Sequence, residues 1–453
     1  MARGEDEIRT RRIGLVVDHP LRDLDGLCLV AQLLAQRGQE ATLLPFYTQH
    51  FDLPNIELDL IVLNYARPAN RALVEAAMRR GIALAVLDTE GGLIPEDGPT
   101  SAKGIASYLS LSGLDRQLAL YLFWGEHLRD SVVANTALPP QRAVVTGCPR
   151  FDLAQPRYGS VTGVRKRVLV NTNFPVVNSQ HAESGSIDAA ALRSVGFAEK
   201  EIANLAESVE TVMQRMIEAV HTLAEARPQR QFVIRPHPFE RSEPYEAAFS
   251  DRPNVSIERV GTAMEALSSS ACLLHVNCTT AIEACLTGVP PISLDYINEA
   301  SLKKMARLPS EISHKARSLA EALALIDRAG KLEPGVAQER IAPFFGPLDG
   351  AAANRVVEAL VHTPLRLAMP DAGSPPNWRS RLAAWLGRAL GSGVIEGMRR
   401  QIEPSRRLKA FSAADVRRRI ERIARAHGQT PAKVEQSRSL LGLPIVAIKI
   451  SPP

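Results

Sequence analysis

The chain has 453 residues, 45% of them hydrophobic and 23% charged, the composition of a globular protein with room for two or three domains. No stretch comes near eighteen uninterrupted apolar residues, and the acid-bearing start has no apolar core, so neither a membrane span nor a secretory leader is expected. The net charge of +5 is concentrated in one place: residues 377–425 carry thirteen Lys and Arg against four Asp and Glu, which leaves the remainder slightly acidic.

In chain order, Arg12–Asp18 reads as a buried parallel strand. A loop from His19 to Gly26 follows, then an amphipathic helix to Gln36 closed by Gly38. Within that loop, His19-Pro20 reads as a turn near the acceptor side. Asp23-x-Asp25 has a metal-like spacing but is expected to cap the helix. Further strands are predicted over Ala41–Pro45, Leu58–Asn64, Ile82–Leu87, Leu118–Trp124 and Arg142–Thr146, with a helix over Pro68–Arg80. Strands alternating with helices imply a doubly wound parallel sheet. Neither a Gly-x-Gly-x-x-Gly after the first strand nor a P-loop is present, which argues against a nicotinamide or flavin dinucleotide.

Gly147–Gly163 reads as a linker, and a second α/β unit begins with the strand at Arg167. A long helix is predicted over Ala198–Glu225. Strands then end at His237, lie near Val255, start at Cys272 and run over Val289–Leu294. A helix within 350–361 closes the fold, and Pro364, Pro370 and Pro375-Pro376 mark a flexible connection. The predicted units are therefore a Rossmann-like domain over 12–150, a second over 164–348, the closing helix within 349–362, and a linker with a basic helical tail over 363–453. In that tail Trp378, Leu382, Trp385, Leu386 and Leu390 recur at helical spacing among arginines, and a second basic helix is predicted over Ala413–Ala426. Such helices suit an anionic membrane surface or packing on the body equally well. No motif supports nucleic-acid binding. Five scattered cysteines (Cys28, Cys148, Cys272, Cys278 and Cys285) lack a Cys-x-x-Cys pair, which argues against disulfides and metal sites and fits a cytoplasmic location.

Two short apolar runs stop abruptly at polar clusters: Phe232–Ile234 at Arg235-Pro236-His237-Pro238, and the run from Cys272 at Asn277-Cys278-Thr279-Thr280. Parallel strands ending side by side would bring Arg235, His237, Thr279 and Thr280 to one sheet edge, a setting suited to phosphate. On the first unit, a strand ends in Asp88-Thr89-Glu90-Gly91, where a carboxylate can serve as general base. Glu90 and Asp88 are rivals for that role, and a turn cap is the competing reading for Asp88. Asn171 and Asn173 end the first strand of the second unit and are read as ligand contacts. His275 reads as a core histidine. Glu283 lies one turn into the helix after Thr280.

Two such domains around a phosphate site describe a GT-B-type glycosyltransferase, in the first instance by analogy. The pairing of Thr89-Glu90-Gly91 with His237-Pro238 resembles the acid-Gly and His-Pro motifs of bacterial sialyltransferases, which like some Kdo transferases use CMP-sugars. Their hydroxyl pair is similar to Thr279-Thr280. Glu265 matches the position of their ribose-binding acid, although a helix cap is an equally good reading. Thr89 stands where those enzymes carry a first acid. Across most of residues 12–362 the chain also resembles bacterial surface carbohydrate biosynthesis proteins. The stretches that carry this likeness are Leu87–Gly92, Phe123–Gly125, Gly147–Asp152, Asn171–Phe174 and Leu348–Ala352. The resemblance implies an inverting glycosyltransferase that needs no metal or cofactor and uses a CMP-sugar donor and a glycan or lipid-linked acceptor. It would act in the cytoplasm or at the inner face of the membrane. A CDP-glycerol-type transferase and a non-catalytic scaffold of glycan assembly are the alternatives.

Overall fold

The computed structural model describes residues 10–46, 52–92, 95, 98, 100–158, 165–180, 189–194, 197–334, 338–365, 378–402 and 409–453. Short apolar runs, each followed by a helix, become the parallel strands β1 (Arg12–Val17), β2 (Glu40–Pro45), β3 (Leu60–Leu63), β4 (Ala83–Leu87), β5 (Leu120–Phe123) and β6 (Ala143–Val145). They lie in the order β2-β1-β3-β4-β5-β6, with Ile13 of β1 opposite both Ala41 and Leu60. Both faces are covered, which is why β3 and β4 are buried at every position.

The second sheet contains β7 (Arg167–Asn171), β8 (Phe232–Arg235), β9 (Val255–Ile257), β10 (Ser270–His275), β11 (Pro291–Leu294) and β12 (His314–Ala316). All are parallel, in the order β12-β11-β10-β7-β8-β9. Strand order reverses between β1 and β3 in one sheet and between β7 and β10 in the other. Crevices beyond the carboxyl ends at such points are where open α/β sheets take ligands.

The predicted linker is, in its described part, packed structure. Pro149–Asp152 forms a helical turn, and Phe151 meets Trp124 and Phe345 with ring centroids 5.8 and 5.4 Å apart. Gly26 makes this approach feasible, since a Cβ there would sit 2.9 Å from the Arg150 nitrogen. Asp152 accepts the N–H groups of Ala352 (3.1 Å) and Ala353 (2.7 Å), so it caps the closing helix Ala352–His362 from 200 residues away.

The tail differs most from expectation. Beyond the basic helix Ala413–His427, the chain forms an antiparallel hairpin of β13 (Lys433–Arg438) and β14 (Pro444–Ser451). β14 pairs antiparallel with β2, setting Ile450 opposite Ala41, and extends the first sheet to eight strands. The tail is therefore a part of the first domain rather than a helical appendage. Its helix buries Val416, Ile420 and Ile423 in the core that holds the first helix, Leu24–Gln36, so packing on the body is the reading that stands for it. Gln32 of that first helix, fully buried, locks the junction by donating to Thr430 O (3.0 Å) and accepting from Ala432 N (2.9 Å). The helix Trp378–Leu390 instead leaves Leu382 and Trp385 exposed, at 46% and 64%. No helix among the described residues is long and apolar enough to cross a membrane.

Candidate active site

The carboxyl ends of the two sheets border one cavity of about 620 Å³. Its walls bring together Glu90, Asn171, Asn173, Arg235, His237, Pro238, Glu265, Thr279, Thr280 and Glu283, all singled out from sequence; Asp88 is not among the lining residues.

On the second domain, β8 and β10 do not end side by side as expected. β7 lies between them, so Asn171-Thr172-Asn173 occupies the centre of the wall. Pro236 and Pro238 cannot extend the β8 ladder, and the chain turns there. Glu240, fully buried, fixes that turn to the end of β7. It accepts from Thr172 Oγ1 (2.9 Å), the Phe174 N–H (2.8 Å), the His237 N–H (3.3 Å) and the Tyr245 hydroxyl. Burial raises its pKa against the pull of these bonds. Sequence reasoning passed over Glu240, whose only local signal is an acid two residues after Pro238.

The Phe239 N–H donates to His237 Nδ1 (3.3 Å), so the ring proton resides on Nε2. Burial, then Arg22, push the His237 pKa down to about 4 against the opposing charge of Glu90. A neutral imidazole therefore presents one N–H donor.

Arg235 lines the same wall, and its two terminal nitrogens donate to the Val260 (2.9 Å) and Gly261 carbonyls, which ties it to the loop before Thr262. Burial lowers its pKa. Thr280 faces inward: Asn171 Nδ2 (2.9 Å) and Cys278 Sγ (3.2 Å) donate to its oxygen, and Glu283 takes its hydroxyl bond. Thr279 remains half-buried on the cavity wall, ahead of the short helix Thr280–Leu286, with no capping bond from its side chain. Asn173 donates to Asn277 O (3.2 Å), and Asn171 Oδ1 is buried without a partner. The Pro238 carbonyl accepts from Gln180 (3.2 Å) and Arg259 (3.1 Å).

Glu283 is buried and faces Arg150 of the linker turn at 3.3 Å; burial raises its pKa, with Arg150 and Arg235 opposing. Glu265 does cap a helix, forming a reciprocal box with Thr262.

On the first domain, Asp88 is buried (2% exposed), accepts the Glu90 N–H (2.9 Å) and faces Arg67 at 3.5 Å. Burial raises its pKa despite Arg67. It shapes the turn from beneath. Glu90 is the carboxylate that reaches the cavity, half open to it, with Arg67 at 3.0 Å and Arg22 at 3.2 Å. Desolvation pushes its pKa up, but Arg67 and then Arg22 outweigh it and hold Glu90 down to about 2.

Asp23 is corrected. Its carboxylate makes no cap bond and accepts instead from the His19 N–H (2.9 Å) and Arg22. Asp25 turns to the tail, where Arg419 and Arg422 meet it. Among the described residues, no three metal-ligating side chains cluster. His19 forms the predicted turn, its carbonyl accepting from Arg22 N (3.1 Å) and Asp23 N (2.8 Å), and its ring meets Phe239 across the cleft at 5.2 Å. The cations Arg22, Arg150 and Arg422 were not singled out by sequence reasoning, because their separations in the chain gave no pattern.

His275 is the core histidine expected: fully buried, with Nε2 2.8 Å from Ser313 Oγ and Nδ1 accepting from Cys278 N. Burial pushes its pKa down to about 3. An unfolded chain binds that proton below pH ~6.5, whereas the fold refuses it until pH ~3. Stability is thus complete above the upper value and is lost as pH falls through the window, by about 2 kcal/mol near pH 5. Urea midpoints at pH ~7 and ~5 check this, and His275→Asn should flatten the acid slope.

Two doubly wound parallel sheets with opposed carboxyl ends, and a last helix returning from the second to the first, make this a GT-B-type fold. No family model matches the chain, and no curated protein matches it. Among solved structures, the UDP-GlcNAc 2-epimerase of Methanocaldococcus jannaschii is similar at 12% identity over 78% of this chain and 99% of that one, with a TM-score of 0.49. MurG of Acinetobacter baumannii gives 12% over 78% and 100%, with a TM-score of 0.40. The wall teichoic acid polymerase TagF gives 11% over 80% and 90%, with a TM-score of 0.47. Likeness this remote carries no functional argument. The resemblance to CMP-sugar transferases therefore rests on its motifs alone.

Proposed function

We propose that the chain is an inverting, metal-independent glycosyltransferase that moves an acidic sugar, of the Kdo or nonulosonic type, from its CMP form to a surface glycan precursor. The observation that carries the reading is the opposition of His237 and Glu90, from the two domains, on the walls of one cavity. In this reading Glu90 takes the proton of an acceptor hydroxyl, whose oxygen forms the new bond to the anomeric carbon. The bond from that carbon to the CMP oxygen breaks, and the electron pair leaves with the phosphate. His237 Nε2–H and Thr279 Oγ1–H donate to the phosphate oxygens as their charge grows. Asn171, Asn173 and Glu283 contact the donor, and Glu265 the ribose. Exposed Leu382 and Trp385 on the helix Trp378–Leu390, beside the exposed Arg381 and Arg388, support peripheral contact with an anionic membrane that carries the acceptor.

Thermal melting with a panel of CMP, UDP and GDP compounds and CDP-glycerol tests the donor. CMP compounds are expected to raise the midpoint in wild type and not in His237→Ala. Stabilisation by UDP or GDP compounds alone would overturn the donor assignment. Turnover of CDP-glycerol alone would move the reading to a polyol-phosphate transferase.

A further inference from the structure

The tail helix Ala413–His427 does more than complete the first domain, because it sends Arg422 into the wall of the cavity. The guanidinium spans the cleft. It meets Asp25 of the first domain at 3.3 Å and Glu265 of the second at 3.5 Å. Both carboxylates are already committed elsewhere: Asp25 to Arg419, and Glu265 to the N–H of Thr262 at 2.7 Å. Arg422 Nε is buried without an acceptor, although the side chain is 39% exposed. The result is a cation on the cavity wall with two long ion pairs, one buried unused donor and the rest of its side chain part-exposed. A guanidinium so placed can turn its exposed N–H groups to a carboxylate or phosphate that enters the cavity.

We propose that Arg422 is a substrate-binding residue that takes an oxyanion of the donor, so that the C-terminal tail supplies part of the substrate site. This deepens the function proposed above and rests on it for the identity of the donor. Two sources offer the same chemistry: the carboxylate of an acidic sugar, and the nucleotide phosphate. Arg419 provides the control. It holds the tail to the same Asp25 but does not line the cavity.

Calorimetric titration of inorganic pyrophosphate, CMP, UMP, GMP and a CMP-activated acidic sugar into wild type, Arg422→Gln and Arg419→Gln tests the assignment. Arg422→Gln should weaken the CMP-activated acidic sugar by about ten- to a hundredfold, and Arg419→Gln by no more than about twofold. Weakening of CMP and the CMP-sugar alike assigns the phosphate; weakening of the CMP-sugar alone assigns the carboxylate. Unchanged binding by Arg422→Gln, or equal losses in both variants, overturns the proposal and leaves the donor reading intact. Absence of any preference for cytidine overturns the donor reading, while a loss confined to Arg422→Gln still supports the anion site.

Discussion

His237→Ala is expected to lower donor turnover by about a hundred- to a thousandfold, the usual cost of removing one preorganised donor from a site of developing charge. The physical basis is the tautomer. With Nδ1 occupied by the Phe239 N–H, the ring has its Nε2–H left to give, and with a pKa near 4 it stays neutral through the working range. Activity should therefore show no histidine limb between pH ~6 and ~8, and a limb from this group should appear only near pH 4. Nucleotide affinity should fall together with turnover, because the same bond holds the ground-state phosphate. His237→Asn, which keeps an N–H donor on a shorter arm, should recover part of both. Steady-state kinetics of donor hydrolysis with nucleotide titration decides the matter. Full turnover by the alanine variant would remove His237 from the mechanism.

The second large effect is expected at Glu90. Glu90→Gln should cost about a hundred- to ten-thousandfold in turnover, the range for a lost general base, while leaving nucleotide binding nearly intact. That split between turnover and affinity separates it from His237. A carboxylate held near 2 by two arginines is always ionised yet weakly basic. Drawing Arg22 or Arg67 toward an incoming anion would raise its basicity, so the base would be strongest with donor in place. Asp88→Asn provides the comparison: Asp88 accepts the Glu90 N–H and does not line the cavity. Its loss should disturb the turn and cut turnover less than Glu90→Gln does. A dead Asp88→Asn beside a fully active Glu90→Gln would reverse the assignment. If surface glycan persisted in cells carrying either Glu90→Gln or His237→Ala, the scaffold reading would prevail.

Much of this architecture was legible because parallel strands buried on both faces are short, wholly apolar runs, as at Leu60–Leu63 and Phe232–Ile234. The His237-Pro238 and Thr279-Thr280 clusters were visible for the same reason, since each interrupts such a run. Strand order was not legible. Nothing local in Arg167–Asn171 says that it inserts between β8 and β10, yet that insertion makes Asn171 a partner of Thr280. Nor does a sequence state what a polar side chain spends its bonds on. Arg235 gave no local sign that its terminal nitrogens would bond the carbonyls of Val260 and Gly261. The terminal hairpin was missed even though Ile445, Val446, Ala447, Ile448 and Ile450 form a strand-like run, because the density of arginines just upstream dominated the reading of the tail.

That hairpin sets an order of events during synthesis. β2 precedes its edge partner β14 by the whole length of the second domain, so the first domain cannot finish its sheet until the second has been made. The whole second domain lies between and can fold in the interval. Meanwhile the Glu40–Pro45 strand exposes an unpaired edge, the kind of surface that recruits other strands. The domain that begins first is completed last, and the hazard of that delay falls on the edge beside β2.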